Sequence, residues 1–501
     1  MKRISLMLLL LPSFALASSV ATVDVKALQT KLKKENIGWQ ADDAWLKNNS
    51  ASIKGLLGVR NAPKTDAQFE VPQSRLRNFS ATTVDWRDVN GLNYVSPILN
   101  QGNCGSCVAF ATVATLETQM NIAYFGGLFR YSPQALFACG GGACEMGWFP
   151  SAAADYLQSS GIPDEACLPY TSGATGEDVE CSRSCSDSAN RSLKIVSYTT
   201  PTNYSKDLDS VKAALARGAL MTTLTVYTDF LLYKSGVYKH TTGKAEGGHA
   251  ISLIGYDDSK GAFIIRNSWG EDWGMKGFAY VSYDDISGVG NETYALEVPK
   301  YNGYVTVRAP DNRAIVAGKM TASAESTFAG LQKLEVTVVD AQNQVKSTYD
   351  CATQAKCAAE FETTTWADGT YQIFSTATIA GKSQETSQRQ FFYVENTAPK
   401  MSLNFEGKDV NLTQPVKGRI VFNIHAASGA APLSTLKLIA KQNGQIVYTR
   451  GTNIALPEMT LGWRTVSVPN GEYDVFLTGT QVVNDQTSSV ESNHFTITVN
   501  N

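Results

Sequence analysis

The segment Gln101-Gly102-Asn103-Cys104-Gly105-Ser106-Cys107 carries the most concentrated chemistry in the chain. A Cys-x-x-Cys has two readings: a redox pair, or one bridged cysteine beside one nucleophile. An apolar stretch, residues 107–125, starts at or beside Cys107 and reads as a buried helix. A thiol in a helix first turn sees the positive end of the macrodipole and unpaired backbone N–H groups. Both favour thiolate and lower its pKa. A nucleophilic thiol also needs a base, usually histidine. The chain has four, His240, His249, His425 and His494, and the last two lie in a strand-rich C-terminal half.

These groups need elements to position them. Residues 249–256 alternate as a strand, Asp257-Asp258-Ser259-Lys260-Gly261 is a turn, and residues 262–266 return as a second strand. With the turn centred near 258–259, His249 faces position 267 or 268. Asn267 then lands within about one residue of it. A lone strand histidine is more often structural, but an amide oxygen here would orient the imidazole and fix its tautomer. Trp269, in Asn267-Ser268-Trp269-Gly270, would exclude water from that contact.

The chain is 501 residues long, 43% apolar and 18% charged, with a formal net charge of −3. It can build about three or four folded units. No basic run argues for nucleic acid. Lys2 and Arg3, an apolar run over 4–14 and Ala15-Leu16-Ala17 read as a secretory signal, too short for a membrane span. Export, to the outside or to a periplasm, predicts an oxidising compartment. Seven of the nine cysteines fall between Cys104 and Cys185, room for three bridges and one free thiol. Cys351 and Cys357 are read as a fourth pair.

Residues 18–82 are polar and helix-leaning, without strand alternation, with isolated Trp39 and Trp45; they suit a pro-segment. Residues 83–300 hold most of the Cys and Trp. Residues 211–217 form a short helix closed by Gly218. Beyond 301 the chain repeats at an offset of 102. Leu331 and Leu334 recur as Leu433 and Leu436, Val345 as Val447, and Asp368-Gly369-Thr370-Tyr371 as Asn470-Gly471-Glu472-Tyr473. Short strands and Gly turns over two lengths of about 100 residues predict two antiparallel sandwiches, 301–397 and 398–501. They resemble the immunoglobulin-like modules appended to secreted bacterial proteins. No metal motif appears, and no cofactor is expected.

The motif ending in Cys107, the Gly-His-Ala strand and Asn-Ser-Trp-Gly, in this order, resemble the papain-like cysteine peptidases. So do Val84-Asp85-Trp86-Arg87, Tyr131-Ser132-Pro133-Gln134 and Glu165-Ala166-Cys167-Leu168-Pro169-Tyr170. The resemblance covers about residues 83–300. It implies an α+β two-lobed fold, a helical lobe plus a β-barrel-like lobe. It implies that Cys107 is the nucleophile, His249 the general base and acid, Asn267 the orienter and Gln101 an oxyanion-hole donor. It implies bridges Cys104–Cys144, Cys139–Cys181 and Cys167–Cys185, with Cys181 and Cys185 able to exchange partners. By the same alignment Gly147 offers its backbone to substrate, Trp148, Phe149, Gly248 and Ala295 line an apolar second subsite, and Trp269 flanks the histidine. Two positions depart from the family: Val108 stands for the usual Trp, and Glu145-Met146-Gly147 for Asn-Gly-Gly.

The expectation is therefore a secreted endopeptidase, made as a zymogen and acting as a monomer on protein and peptide substrates. The interval from Trp148 to Cys167 is too short for the insertion that blocks the cleft in cathepsin B. The alternatives are a catalytically weak homologue serving binding or adhesion, and an exported oxidoreductase. The repeats would hold a surface, bind polysaccharide or act as spacers.

Overall fold

In this computed structural model the structure describes residues 23–48, 53–60, 81–124, 129–382, 384–397, 402–404, 414–425, 433, 435–452, 458–484 and 486–501. The secretory signal at 1–17 lies outside the described residues, as does 61–80 of the leader. Among the described residues no helix is long and apolar enough to cross a membrane.

The leader contributes α1 (Val25–Lys34), β1 (Trp39–Ala41), α2 (Ala44–Asn48) and a 3₁₀ turn, Lys54–Leu56. Asp24 caps α1 by accepting from Lys26 N (2.9 Å) and Ala27 N (3.1 Å), and Lys31, Lys33 and Lys34 meet the negative end of its dipole. Leu28 and Leu32, four apart, bury one face. The strand was not anticipated. Three residues are too few to show alternation; β1 exists because an edge strand of the next domain receives it.

That domain begins with β2 (Thr83–Asp85), followed by α3 (Cys107–Ala123), α4 (Pro133–Gly140), α5 (Pro150–Ser159), α6 (Ser172–Thr175) and α7 (Ser188–Arg191). After them come β3 (Ser197–Thr199), α8 (Leu208–Leu215), β4 (Leu220–Tyr227), β5 (Tyr233–Tyr238), β6 (Ala245–Asp257), β7 (Ala262–Arg266), β8 (Phe278–Ser282) and β9 (Thr293–Glu297). One sheet runs β1-β5-β8-β7-β6-β4-β9-β3, with β2 on β6. The leader strand is thus an antiparallel addition to β5, Trp39 opposite Gly236. Strand β6 is buried continuously from His249 to Asp257 because both faces are covered. Ala250 faces the core around α3, α4 and α5, while Ile251 and Leu253 face the core on the other side. The leader's Leu28, Leu32, Trp39, Trp45 and Leu56 belong to that second core. Each such burial is worth about 1.5–3 kcal/mol.

Helix α3 is buried nearly all round. Two of its hydroxyls are satisfied inside the helix, Thr112 Oγ1 donating to Val108 O (2.7 Å) and Thr118 Oγ1 to Ala114 O (2.9 Å), while Thr115 Oγ1 lies 2.9 Å from Ser252 Oγ of β6. Buried Glu117 accepts from Tyr131 N at 2.9 Å, and burial raises its pKa. Disulfides join Cys104–Cys144, Cys139–Cys181, Cys167–Cys185 and Cys351–Cys357, leaving Cys107 as the free cysteine.

The C-terminal region is β-rich. Its first part holds β10 (Val305–Ala309), β11 (Ile315–Val316), β12 (Lys319–Ser326), β13 (Leu331–Asp340), β14 (Val345–Asp350), β15 (Lys356–Glu362), β16 (Gly369–Ile379), β17 (Glu385–Thr386) and β18 (Gln390–Val394). Its second holds β19 (Ser402–Asn404), β20 (Arg419–His425), β21 (Thr435–Gln442), β22 (Gln445–Thr452), β23 (Glu458–Arg464), β24 (Gly471–Val483), β25 (Gln486–Glu491) and β26 (Phe495–Val499). Each part closes two sheets on a core of its own, and the core from Val416 to Val499 contains no residue of the others. The repeat is visible in detail. Tyr371 Oη donates to Ala367 O (2.8 Å), and Tyr473 Oη, 102 residues on, to Pro469 O (2.6 Å).

The first β unit is fastened to the domain before it. Buried Glu165 takes Arg313 and Asn312 (2.6 Å from Nδ2), and Arg130 N donates to Gln388 Oε1 (2.8 Å). Arg313→Ala should cost about 2–3 kcal/mol in urea unfolding of that preceding domain. That is below the ~3–5 kcal/mol of a fully buried pair, because the arginine side chain stays 39% exposed and Asn312 remains. An unchanged midpoint would show that solvent replaces this contact.

Candidate active site

The loop before Cys107 is held from three sides. The Cys104–Cys144 bridge pins it, Gly105 N donates to Cys144 O (3.0 Å), and Tyr170 Oη donates to Gln101 O (2.8 Å) while lying 2.7 Å from Ser106 Oγ. Helix α3 then starts at Cys107 with Ser106 as its N-cap, so the thiol sits in the first turn. Its sulfur is within reach of the backbone N–H groups of Ala250, Val108 and Gly58. Ala250 follows His249 directly, so β6 brings the imidazole to the helix start.

His249 is fully buried, and its ring stacks on Trp269 with centroids 4.6 Å apart at 28°. Its Nε2 lies 2.8 Å from Asn267 Oδ1. An amide oxygen only accepts, so Nε2 carries the proton and neutral Nδ1 keeps its lone pair. Nδ1 has no hydrogen-bond partner among the described residues. The register differs from the sequence expectation. Asp257 pairs with Ala262, a bulge follows between Leu253 and Gly255, and pairing ends at Ser252 with Arg266. The turn is centred about one residue later than expected, which would set Trp269 across from His249. Asn267 comes just after the last paired residue and reaches the imidazole from there.

Gln101 is fully buried. Its Oε1 accepts from Ser268 Oγ (2.8 Å), which fixes the amide so that Nε2 points to Cys104 O (3.1 Å) and Gly55 O (3.2 Å). Gly55 belongs to the leader. From there the leader crosses the site: Trp269 Nε1 donates to Leu56 O (3.3 Å), and Gly58 N and Val59 N point at Gly248 O (3.1 and 3.2 Å). Trp148 N then donates to Gly58 O (2.7 Å), and Arg60 N to Trp148 O (2.9 Å). The crossing is too close for side chains. A Cβ on Gly58 would meet Gly105 O at 2.0 Å, and one on Gly147 would meet Gly58 O at 2.0 Å. Upstream, Trp45 stacks on Trp269 (5.4 Å) and donates from Nε1 to Trp269 O (3.2 Å).

Burial reverses the titration expected of the thiol. A helix start favours thiolate, but burial dominates and pushes Cys107 up to about 12. Burial pulls His249 down to about 4, against the hydrogen bond to Asn267. Both groups are therefore neutral across the physiological range.

The other sequence candidates divide. The backbones of Gly147, Trp148 and Gly248 meet the leader, and the Phe149 ring lies 4.7 Å under the Arg60 guanidinium. The Trp148 indole is core instead, edge-on to Phe137 and 3% exposed. Ala295 is elsewhere. It pairs with Leu220 of β4, four residues along from Leu224, the partner of His249, so it does not flank Cys107 and His249. Alignment by spacing misplaced it because it lies on β9, one strand beyond β4. Tyr170 and Ser268 were not singled out; each supports the site through one hydroxyl, which no local pattern signals. Among the described residues no group of three or more His, Cys, Asp or Glu is placed to hold a metal ion.

Residues 80–296 match the family model described as papain family cysteine protease. Cathepsin B-like CP3 of Giardia intestinalis is 40% identical over 194 residues, 37% of this chain and 63% of that protein. Cathepsin B-like CP2 of the same organism is 38% identical over the same shares. The chain thus spans 63% of the length of these curated relatives. Among solved structures, proCathepsin B S9 from Trypanosoma congolense is similar with a TM-score of 0.47 and 21% identity, covering 55% of this chain and 98% of that one. The papain-family homologues support a cysteine peptidase hydrolase over residues 80–296.

Proposed function

We propose that the chain is the precursor of an exported, papain-like cysteine endopeptidase. Residues 1–17 are its signal and 18–82 its inhibitory leader. Residues 83–300 are the catalytic domain, and 301–397 and 398–501 are two immunoglobulin-like sandwiches. The observation that carries this is the leader backbone lying over Cys107 and His249, with Gly55 O on Gln101 Nε2. An extended chain already occupies the place of a substrate, but in a geometry and a dielectric that hold the reacting groups neutral.

With the leader gone, water returns to the pair. His249 Nδ1 takes the thiol proton, and the resulting imidazolium and the α3 dipole stabilise the thiolate. The sulfur attacks the scissile carbonyl carbon. The oxyanion is met by Gln101 Nε2 and the Cys107 backbone N–H, each worth about 3–4 kcal/mol in such roles. His249 returns the proton to the departing amine, leaving a thioester. Water, deprotonated by His249, then releases the acid and restores the thiol. Asn267 holds Nε2–H throughout, and Trp269 shields that contact.

His249→Ala should lower kcat/KM about 10³-fold or more, through loss of general base and acid. Asn267→Ala should cost less, about 10- to 100-fold, because it orients without exchanging the proton. Fluorogenic peptide hydrolysis by the leader-free variants checks both. Full activity in His249→Ala would overturn this assignment.

A further inference from the structure

The leader traces the axis of the cleft. It enters at Trp269 and Gln101, crosses Cys107, and leaves along Gly248 and Trp148. If the acyl part of a substrate lies along Gly147 to Phe149, the leaving-group part lies at the Trp269 end. There the leader helix α2 is held on two sides. Trp45 stacks on Trp269, and β22 of the second β unit lies against the helix. This strand is the edge of its sheet, ordered β22-β21-β24-β25. A cavity of about 370 Å³ lies among Asn100, Gly270 and Glu271 from the catalytic region, Arg313 from the first β unit and Thr435, on the neighbouring strand β21, from the second. The second unit is set in this place by Asn484. Its N donates to Ile315 O (3.1 Å), its Nδ2 donates to Ala317 O (2.7 Å), and its Oδ1 accepts from Ala317 N (3.3 Å).

We propose that the second β unit extends the leaving-group end of the cleft and binds polypeptide there. In the precursor the occupant is α2. In the mature enzyme it is the substrate chain beyond the scissile bond, lying between Trp269 and β22. An edge strand suits such an occupant, since backbone hydrogen bonding to a strand edge binds extended chains with little demand on their sequence. This inference rests on the peptidase reading above.

The test compares the matured full chain, its Asn484→Ala variant and a chain ended at Thr397. The last is a fair comparison because the second unit's core shares no residue with the rest. Two substrates share the same acyl-side residues. One ends in a small fluorogenic amide, and the other continues for eight residues past the scissile bond. The short substrate should be cleaved equally by all three. The full chain should prefer the long one by about tenfold in kcat/KM, a preference reduced in Asn484→Ala and lost in the shortened chain. An equal preference in full and shortened chains overturns the inference. So does loss of short-substrate cleavage on shortening, which would make the unit part of the catalytic machinery. Failure of the intact enzyme to cleave even the short substrate overturns the peptidase reading, and the inference with it.

Discussion

Cys107→Ser, freed of its leader, is expected to hydrolyse peptide at least about 10⁴-fold more slowly than the unaltered chain. A serine hydroxyl keeps the size and the hydrogen-bonding capacity of the site. It is far less acidic than a thiol, so neither His249 nor the α3 dipole yields an alkoxide at neutral pH. The side chain is fully buried and unbridged, and the three nearby disulfides do not involve it. Unfolding midpoint and circular dichroism should therefore be unchanged. Retention of most activity by the folded variant would exclude Cys107 as the nucleophile.

The second large effect is latency. With burial pushing Cys107 up to about 12, the thiol stays protonated at pH 7, so the intact precursor should react with iodoacetamide orders of magnitude more slowly than the mature form. The sign follows from burial, which disfavours both charged forms of the pair. Leader removal restores solvent, lowering the Cys107 pKa and raising that of His249 from about 4. The mature enzyme should then lose activity as acid protonates the thiolate, and the precursor should show no such acid limb. Within the leader, Trp45→Ala removes the stack on Trp269 and the hydrogen bond to its carbonyl, and should raise the residual reactivity of the full-length chain. Alkylation rates with and without residues 18–82, followed by mass spectrometry, decide the matter. Equal rates would mean that the leader does not cover the thiol in solution.

The sequence by itself determined the types and order of the residues that meet at the candidate site. Cysteine parity pointed to one free thiol, and the hairpin at 257–261 brought Asn267 towards His249. These readings are local: a turn, a strand alternation and a helix start depend on neighbours a few residues away. The strand Ala262–Arg266 and the start of α3 were legible for that reason, and the 102-residue repeat because each unit carries the same local pattern. The tertiary structure decided what depends on distant surfaces. The bulge at Leu253–Gly255 shifted the register, and a core position took the Trp148 indole away from the cleft. Trp39 and Trp45, isolated in the sequence, became anchors because β5 and Trp269 lay ready to receive them. The direction of the Cys107 titration reversed for the same reason. The helix dipole is written locally, but its effect on a thiol depends on how much water remains, and in the folded chain Cys107 is fully buried.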